Sequence, residues 1–416
     1  MISKGKRHDE AYVWIWLPGE TSPVIAGRVY AEGDALRFNY GRSYLDRPNA
    51  ISIYPPELPL QPGELALLPG LSMPGCIRDG SPDAWGRRVI INHVLGSKGS
   101  HTDITLLDEL TYLLESGSDR TGALDFQFSP TEYTPRNHAN ATLEELLEAA
   151  ERVEKGLPLS PALDLSLRYG SSIGGARPKA LLETSDKKYI AKFSSSSDIY
   201  NVVKAEFVAM RLGRLAGMDV ASVELETVAG KDVLLVERFD RKKTPGGWAR
   251  RMMVSALTLF KLDELTARYA SYEDLAEIIR LEFEKPHETL RELFGRLVFN
   301  ILCGNTDDHA RNHAAFWDGS NFSLTPAYDI CPQNRAGNEA TQAMDIVNGN
   351  RMSQMSACLE AAHLFQLSER EATGIIENMK NTIHKRWDDV CDEARLSYAD
   401  KALLRGRQFL NPFAFE

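Results

Sequence analysis

The chain has 416 residues, 43% hydrophobic and 25% charged, which is globular composition and room for two or three domains of roughly 100–200 residues. A net charge of −10 argues against a whole-surface grip on nucleic acid, which needs a basic face. Five scattered cysteines without a C-x-x-C pair exclude a disulfide framework and a zinc ribbon, and no apolar run reaches the roughly 18 residues of a membrane span. A cytoplasmic protein with no signal peptide and no membrane partner is expected.

Short strands are predicted first, at Ala11–Leu17, Val24–Tyr30, Leu36–Tyr40 and Ala50–Tyr54, punctuated by Gly, Pro and Asp, so a small antiparallel sheet is expected. Asp83–Ile91 opens a helix, and leucines at 106, 107, 110, 113 and 114 predict another across Thr105–Leu114. Thr142-Leu143-Glu144-Glu145 is a capping-box signature that starts a helix running to about Lys155. Gly156–Asp164, rich in Pro and Leu, reads as a linker.

A Gly/Ser-rich stretch, Gly170–Lys179, then leads into two strands, Ala180–Glu183 and Tyr189–Phe193. A helix follows from Asn201 to Gly217, and two more strands lie between Val220 and Phe239. After Arg251 the pattern turns helical, with amphipathic segments at Tyr272–Phe283 and Glu288–Leu302. The second runs straight into Gly304–Asn312. A hairpin then turns at Asp318-Gly319, the segment Pro326-Ala327-Tyr328-Asp329 closes it, and helices fill the last 90 or so residues.

Asp307 and Asn312 stand five apart, the separation of the catalytic Asp and the metal-binding Asn in the H-R-D-x-x-x-x-N loop of protein kinases. Asp329 is the candidate second acid for Mg²⁺. Two other readings stay open for this loop: a polar surface turn with capping acids, and a metallohydrolase site built from Asp307, Asp308, His309 and His313.

The glycines at 170, 174 and 175 allow backbone N–H groups to approach phosphate, although neither a Walker A motif nor G-x-G-x-x-G is present. A plain glycine hairpin with solvated Arg177 and Lys179 is the alternative. Lys192 sits in an apolar strand, where a phosphate-contacting lysine paired with Glu206 or a water-exposed edge lysine are both possible. Glu237 and Phe239 end the last strand, where backbone groups would meet adenine. The cluster Arg238, Arg241, Lys242, Lys243, Arg250 and Arg251 reads as a solvated loop or as a patch that docks a nucleic-acid-bound partner or an acidic substrate.

Taken together, Ser172–Lys179, Ile190-Ala191-Lys192, Val236–Arg241, Asn305–Asn312 and Leu324–Asp329, with Pro82–Arg87 and Gly122-Ala123-Leu124 before them, resemble the HipA family of serine/threonine kinases, toxins of toxin–antitoxin pairs. The resemblance spans nearly the whole chain. It implies an α+β, protein-kinase-like two-lobe fold. Residues 1–140 would form a β-rich N-terminal subdomain, 141–240 an N-lobe with the phosphate loop and ATP lysine, and 241–416 a helical C-lobe.

The resemblance further implies ATP and Mg²⁺ as cofactors, Asp307 as catalytic base, and Asn312 and Asp329 as metal ligands. Ser172, Gly174, Gly175, Lys192, Glu237, Phe239, His309 and Asn312 are the nucleotide-binding set that follows, with Ser172 or Ser171 as the site of inactivating autophosphorylation. The implied partners are a small helix-turn-helix antitoxin, operator DNA reached through it, and a protein substrate such as an aminoacyl-tRNA synthetase. A silent kinase-like adaptor and a small-molecule kinase are the rival functions.

Overall fold

The structure, a computed structural model, describes residues 8–96, 102–136, 141–196, 198–335 and 337–416; the charged residues 1–7 lie outside them. Two compact units emerge. The first comprises the described residues of Met1–Ser197, Thr227–Val254 and Trp317–Gly319; the second comprises Asp198–Glu226, Ser255–Phe316 and those described in Ser320–Glu416.

The first unit opens with β1 (Glu10–Ile15), β2 (Val24–Glu32) and β3 (Ala35–Tyr40). Two short helices, α1 (Arg42–Leu45) and α2 (Gly75–Arg78), precede α3 (Ala84–Leu95) and α4 (Glu109–Glu115). Strand β4 (Leu124–Gln127) then completes an antiparallel sheet of order β3-β2-β1-β4. The expected strand at Ala50–Tyr54 is absent. Ser52 and Ile53 bond to their surroundings through side chains and loops, with Ser52 Oγ on the Leu58 carbonyl and the Ile53 amide on the Tyr40 hydroxyl, and only an isolated bridge links Tyr54 to Leu58. The Pro55-Pro56 pair that follows removes the ladder donors a longer strand would need.

The helix predicted across Thr105–Leu114 is split. A 3-10 turn covers Ile104–Leu106, and Asp108 then caps α4 by accepting from the Thr111 amide at 2.8 Å. Helix α5 (Leu143–Glu154) carries the full capping box between Thr142 and Glu145. The expected linker instead starts a helix, α6 (Pro161–Tyr169), because Ser160 caps it and Pro161 occupies the first turn, where a missing N–H costs nothing.

Strands β5 (Lys179–Glu183) and β6 (Lys188–Phe193) form a hairpin. The chain returns from the second unit along β7 (Val223–Val228) into β8 (Lys231–Glu237), which pairs antiparallel with β6. Tyr189, Ala191 and Phe193 of β6 bury one sheet face against Trp85, Val89, Leu146 and Leu147 from α3 and α5. Each such fully buried large side chain contributes roughly 1.5–3 kcal/mol. Lys192 alternates to the opposite face, directly across from Lys179.

The stretch after Phe239 is not an open loop. It forms the hairpin β9 (Arg241–Thr244) and β10 (Gly247–Arg250), followed by β11 (Met252–Ser255). Arg238 and Arg241 are buried, not solvated: Asp119 takes ion pairs from both at 3.1 and 2.9 Å and from Lys188 at 2.7 Å, and Asp240 binds both guanidiniums. Burial alone would push the Asp119 carboxyl up, but Arg238, Arg241 and Lys188 outweigh it and hold it well below the usual range. Arg250 lies over the Trp16 ring at 3.4 Å, whereas Lys242 and Lys243 face solvent.

The second unit contains α7 (Val202–Leu215), α8 (Ala256–Leu259), α9 (Tyr272–Glu282) and α10 (Pro286–Cys303). The hairpin β12 (Ala314–Trp317) and β13 (Phe322–Leu324) comes next, then α11 (Met355–Ala361), α12 (Glu369–Glu393) and α13 (Tyr398–Leu404). The central helix α10 is buried along most of its length and packs on α9, α11 and α12. Among the described residues no helix is long and apolar enough to cross a membrane.

Candidate active site

Helix α10 ends on Gly304, where φ is +75° and an added Cβ would stand 2.7 Å from the Gln408 carbonyl oxygen, so only glycine fits. The next residues fold back on the helix end: the Asn305 amide bonds the Asn300 carbonyl at 2.8 Å, and its side chain bonds that of Asn300 at 3.0 Å. Asp307 then sits at the start of a closed loop. Its carbonyl accepts from the His309 amide at 2.9 Å and from Asn312 Nδ2 at 3.1 Å. The two residues singled out by their spacing are thus joined, and Oδ1 is the Asn312 atom left to coordinate a cation.

Asp308 plays the opposite part. It is buried, accepts from the Tyr272 hydroxyl, and lies 3.1 Å from His313 Nε2. Burial pushes its carboxyl up, but His313 and the bonds from His313 and Tyr272 outweigh this and hold it below the ordinary value. Asp308 and His313 therefore brace the loop from beneath instead of presenting themselves as metal ligands. Sequence reasoning weighed both for metal binding; the missing information was Tyr272, 36 residues upstream.

Asp329 is held from both sides. Ala327 makes a parallel bridge with Val220, its amide bonding the Asp219 carbonyl at 2.7 Å, and Arg296 grips the Thr325 carbonyl at 2.7 Å. The Tyr328 hydroxyl donates to the Arg311 carbonyl at 2.8 Å, tying this segment to the Asp307 loop. Asp329 itself has φ +57°, a left-handed conformation uncommon outside glycine and best tolerated by Asn and Asp. Its carboxylate reaches Asp307 electrostatically: the Asp307 carboxyl is raised first by burial, with repulsion from Asp329 and Asp308 adding to this and His309 opposing it.

Among the described residues no three His, Cys, Asp or Glu side chains gather as a protein-only metal site. The Asp329 carboxylate and the Asn312 amide oxygen are instead a hard, incomplete ligand set of the kind that suits Mg²⁺ when phosphate oxygens and water complete its shell. The residues present fit that ion.

The first unit carries the other expected parts. The loop Ser171–Pro178 leaves α6 and enters β5. Ser171 Oγ donates to the Arg168 carbonyl at 2.5 Å, whereas Ser172 Oγ is buried with no hydrogen-bond partner. Lys179 Nζ reaches the Gly174 carbonyl at 2.5 Å. Gly175 has φ +107°, and its amide donates to Asp83 Oδ2 at 2.6 Å, so this N–H is engaged within the protein. Lys192 is half-buried in mid-sheet on β6 and is not an edge-strand lysine; Glu237 pairs with Lys187 at 3.0 Å, and Phe239 is half-buried just past β8. Lys192 belongs to the first unit, and Glu206, Asp307, His309, Asn312 and Asp329 to the second.

These parts define a class. The HipA of Shewanella oneidensis, solved with HipB and its operator DNA, matches 97% of this chain and 99% of its own with a TM-score of 0.68 at 18% identity, and the fold is α+β and kinase-like. The HipA-like C-terminal domain family matches residues 171–387, more than half of the chain, and the chain belongs to the HipA family. A Sinorhizobium fredii protein named "Putative kinase Y4mE" is 25% identical over 390 residues, covering 86% of this chain and 88% of its own. The serine/threonine-protein kinase toxin HipA of S. oneidensis is 27% identical over 186 residues, 38% of this chain and 42% of that one.

Proposed function

We propose that this chain is an ATP- and Mg²⁺-dependent serine/threonine protein kinase of the HipA type. The observation that carries the reading is the Asp307–Asn312–Asp329 arrangement, two carboxylates drawn together beside an asparagine that bonds back to the Asp307 carbonyl. Asp307 accepts the proton of the attacking Ser or Thr hydroxyl, and its raised proton affinity suits that role. Asn312 and Asp329 would hold Mg²⁺, which when bound neutralises charge on the transferred phosphoryl group. Lys192 and the loop around Ser172, Gly174 and Gly175 orient the triphosphate, with His309 beside it, and backbone groups near Glu237 and Phe239 receive the adenine.

The substrate is a protein hydroxyl, with a translation component such as an aminoacyl-tRNA synthetase as the leading candidate. Phosphorylation of Ser172 or Ser171 switches the enzyme off, since about −1.5 to −2 added charges would repel the nucleotide phosphates. Both hydroxyls are buried here, so modification requires the loop to swing out. A small helix-turn-helix antitoxin is the partner, and operator DNA is reached through it. Incubation with γ-labelled ATP and Mg²⁺ tests the reading: Asp307→Ala and Asp329→Ala should each abolish autophosphorylation of a folded protein. Label incorporation equal to wild type in either variant overturns it.

A further inference from the structure

Asp83 occupies the N-cap position of α3, with extended backbone angles, yet it makes no cap bond to its own helix. Its carboxylate reaches the Gly175 amide at 2.6 Å, 92 residues away in the chain. The opening turn of α3 completes the grip. The Trp85 amide donates to the Gly175 carbonyl at 3.3 Å, and the Trp85 indole donates to the Lys179 carbonyl at 2.9 Å. Both ends of the Gly175–Lys179 turn are thereby held.

Gly86 lets the two segments touch. A Cβ there would stand 1.9 Å from the Ser171 carbonyl oxygen, a separation no side chain permits. Gly117 makes a similar approach to Tyr169, where a Cβ would stand 1.7 Å from the carbonyl oxygen. Arg87 braces the turn, donating to the Pro82 carbonyl at 2.9 Å while paired with Glu109 at 2.6 Å.

We infer that Asp83 is a positioning residue that latches the Gly174–Gly175 turn and so presets the loop that receives the nucleotide phosphates. The role in nucleotide binding rests on the kinase reading above; the latch itself does not. A carboxylate on a backbone amide is a charge-assisted bond, stronger than a neutral one. Gly175, at φ +107°, needs such an external fastening because glycine has the widest choice of other conformations. The loop is thus shaped from residues 82–86 as well as from its own strands, which makes the amino-terminal segment a determinant of nucleotide affinity.

The test compares the full-length chain with Asp83→Ala and Asp83→Asn. Hydrogen exchange of the Gly175 amide and titration with Mg²⁺ and a non-hydrolysable ATP analogue are measured on each. Asp83→Ala should exchange about tenfold faster and bind the analogue about tenfold more weakly, the size of one lost charge-assisted bond. Asp83→Asn keeps an acceptor oxygen and should stay within about threefold of wild type on both counts. Unchanged exchange in the alanine variant, exchange that quickens with no change in affinity, or an asparagine variant as impaired as alanine each overturns the inference. A wild-type protein that binds no analogue and transfers no phosphate overturns the kinase reading instead, and the exchange comparison still decides the latch.

Discussion

The Asp307 loop and the Ser172 loop are fastened by different kinds of bond. Under the first, the side chains of Asp308, Tyr272 and His313 are bonded to one another within the same unit, with His313 Nδ1 the one buried atom of the three left unmatched. The second is held largely through backbone, by residues from α3 and by glycines that permit close approach, and it leaves one buried hydroxyl with nothing to bond. An unmatched buried hydroxyl costs about 1–3 kcal/mol, so the second loop is stored at higher energy than its contacts alone suggest. The contrast teaches that the Asp307 loop is fixed chiefly by side chains bonded to one another. The Ser172 loop is fastened mainly by bonds between its backbone and residues of α3, which a change at Asp83, Trp85 or Gly86 can release.

The most severe way to break the contrast is Asp308→Ala. It strands the Tyr272 hydroxyl and His313 in the interior, and unfolding by urea should report a loss of about 3–5 kcal/mol. Gly86→Ala attacks the other loop: forcing a methyl against the Ser171 carbonyl should cost about 1–3 kcal/mol and speed exchange of the Ser171–Gly175 amides. Ser172→Ala should act in the opposite direction. Removing the unpartnered oxygen should raise stability by about 1 kcal/mol, seen as a higher thermal midpoint, and a fall would mean that the hydroxyl is satisfied after all.

The smallest expected effect is electrostatic. Because the folded-state proton affinity of Asp307 is raised, folding disfavours its charged form, and its contribution to stability falls as pH rises from about 4 through the folded value. Asp308 is lowered, so its contribution is lost as pH falls through its folded value. Asp329→Asn removes one repulsive charge, so the Asp307 carboxyl should titrate lower than in wild type by NMR. It should still lie above the ordinary value, because burial is the larger cause.

Much of this was legible in sequence wherever the cause was local. The Thr142–Glu145 capping box forms as read, and the amphipathic stripe of α10 runs into its glycine stop and on to the Asp307 loop. Local pattern misled where a distant partner or a single cap decided. Leucine spacing across Thr105–Leu114 ignored Asp108, which ends one turn and starts the next. A run of Pro and Leu concealed the Ser160-Pro161 start of α6. The basic cluster after Glu237 looked solvated because Asp119, which buries two of its arginines, lies more than a hundred positions earlier. Asp83 was visible as a helix opening, but nothing in the sequence announced that its carboxylate serves Gly175.

The knot of charge around Asp119 also governs where the polypeptide can be trimmed. A fragment beginning after that aspartate would carry Arg238 and Arg241 into an interior stripped of one of their main counter-charges. Interior cations left so exposed to imbalance favour unfolding and aggregation. The amino-terminal segment therefore behaves as an obligate intramolecular counterion for the strands that follow it, and shortened versions of this chain should keep it.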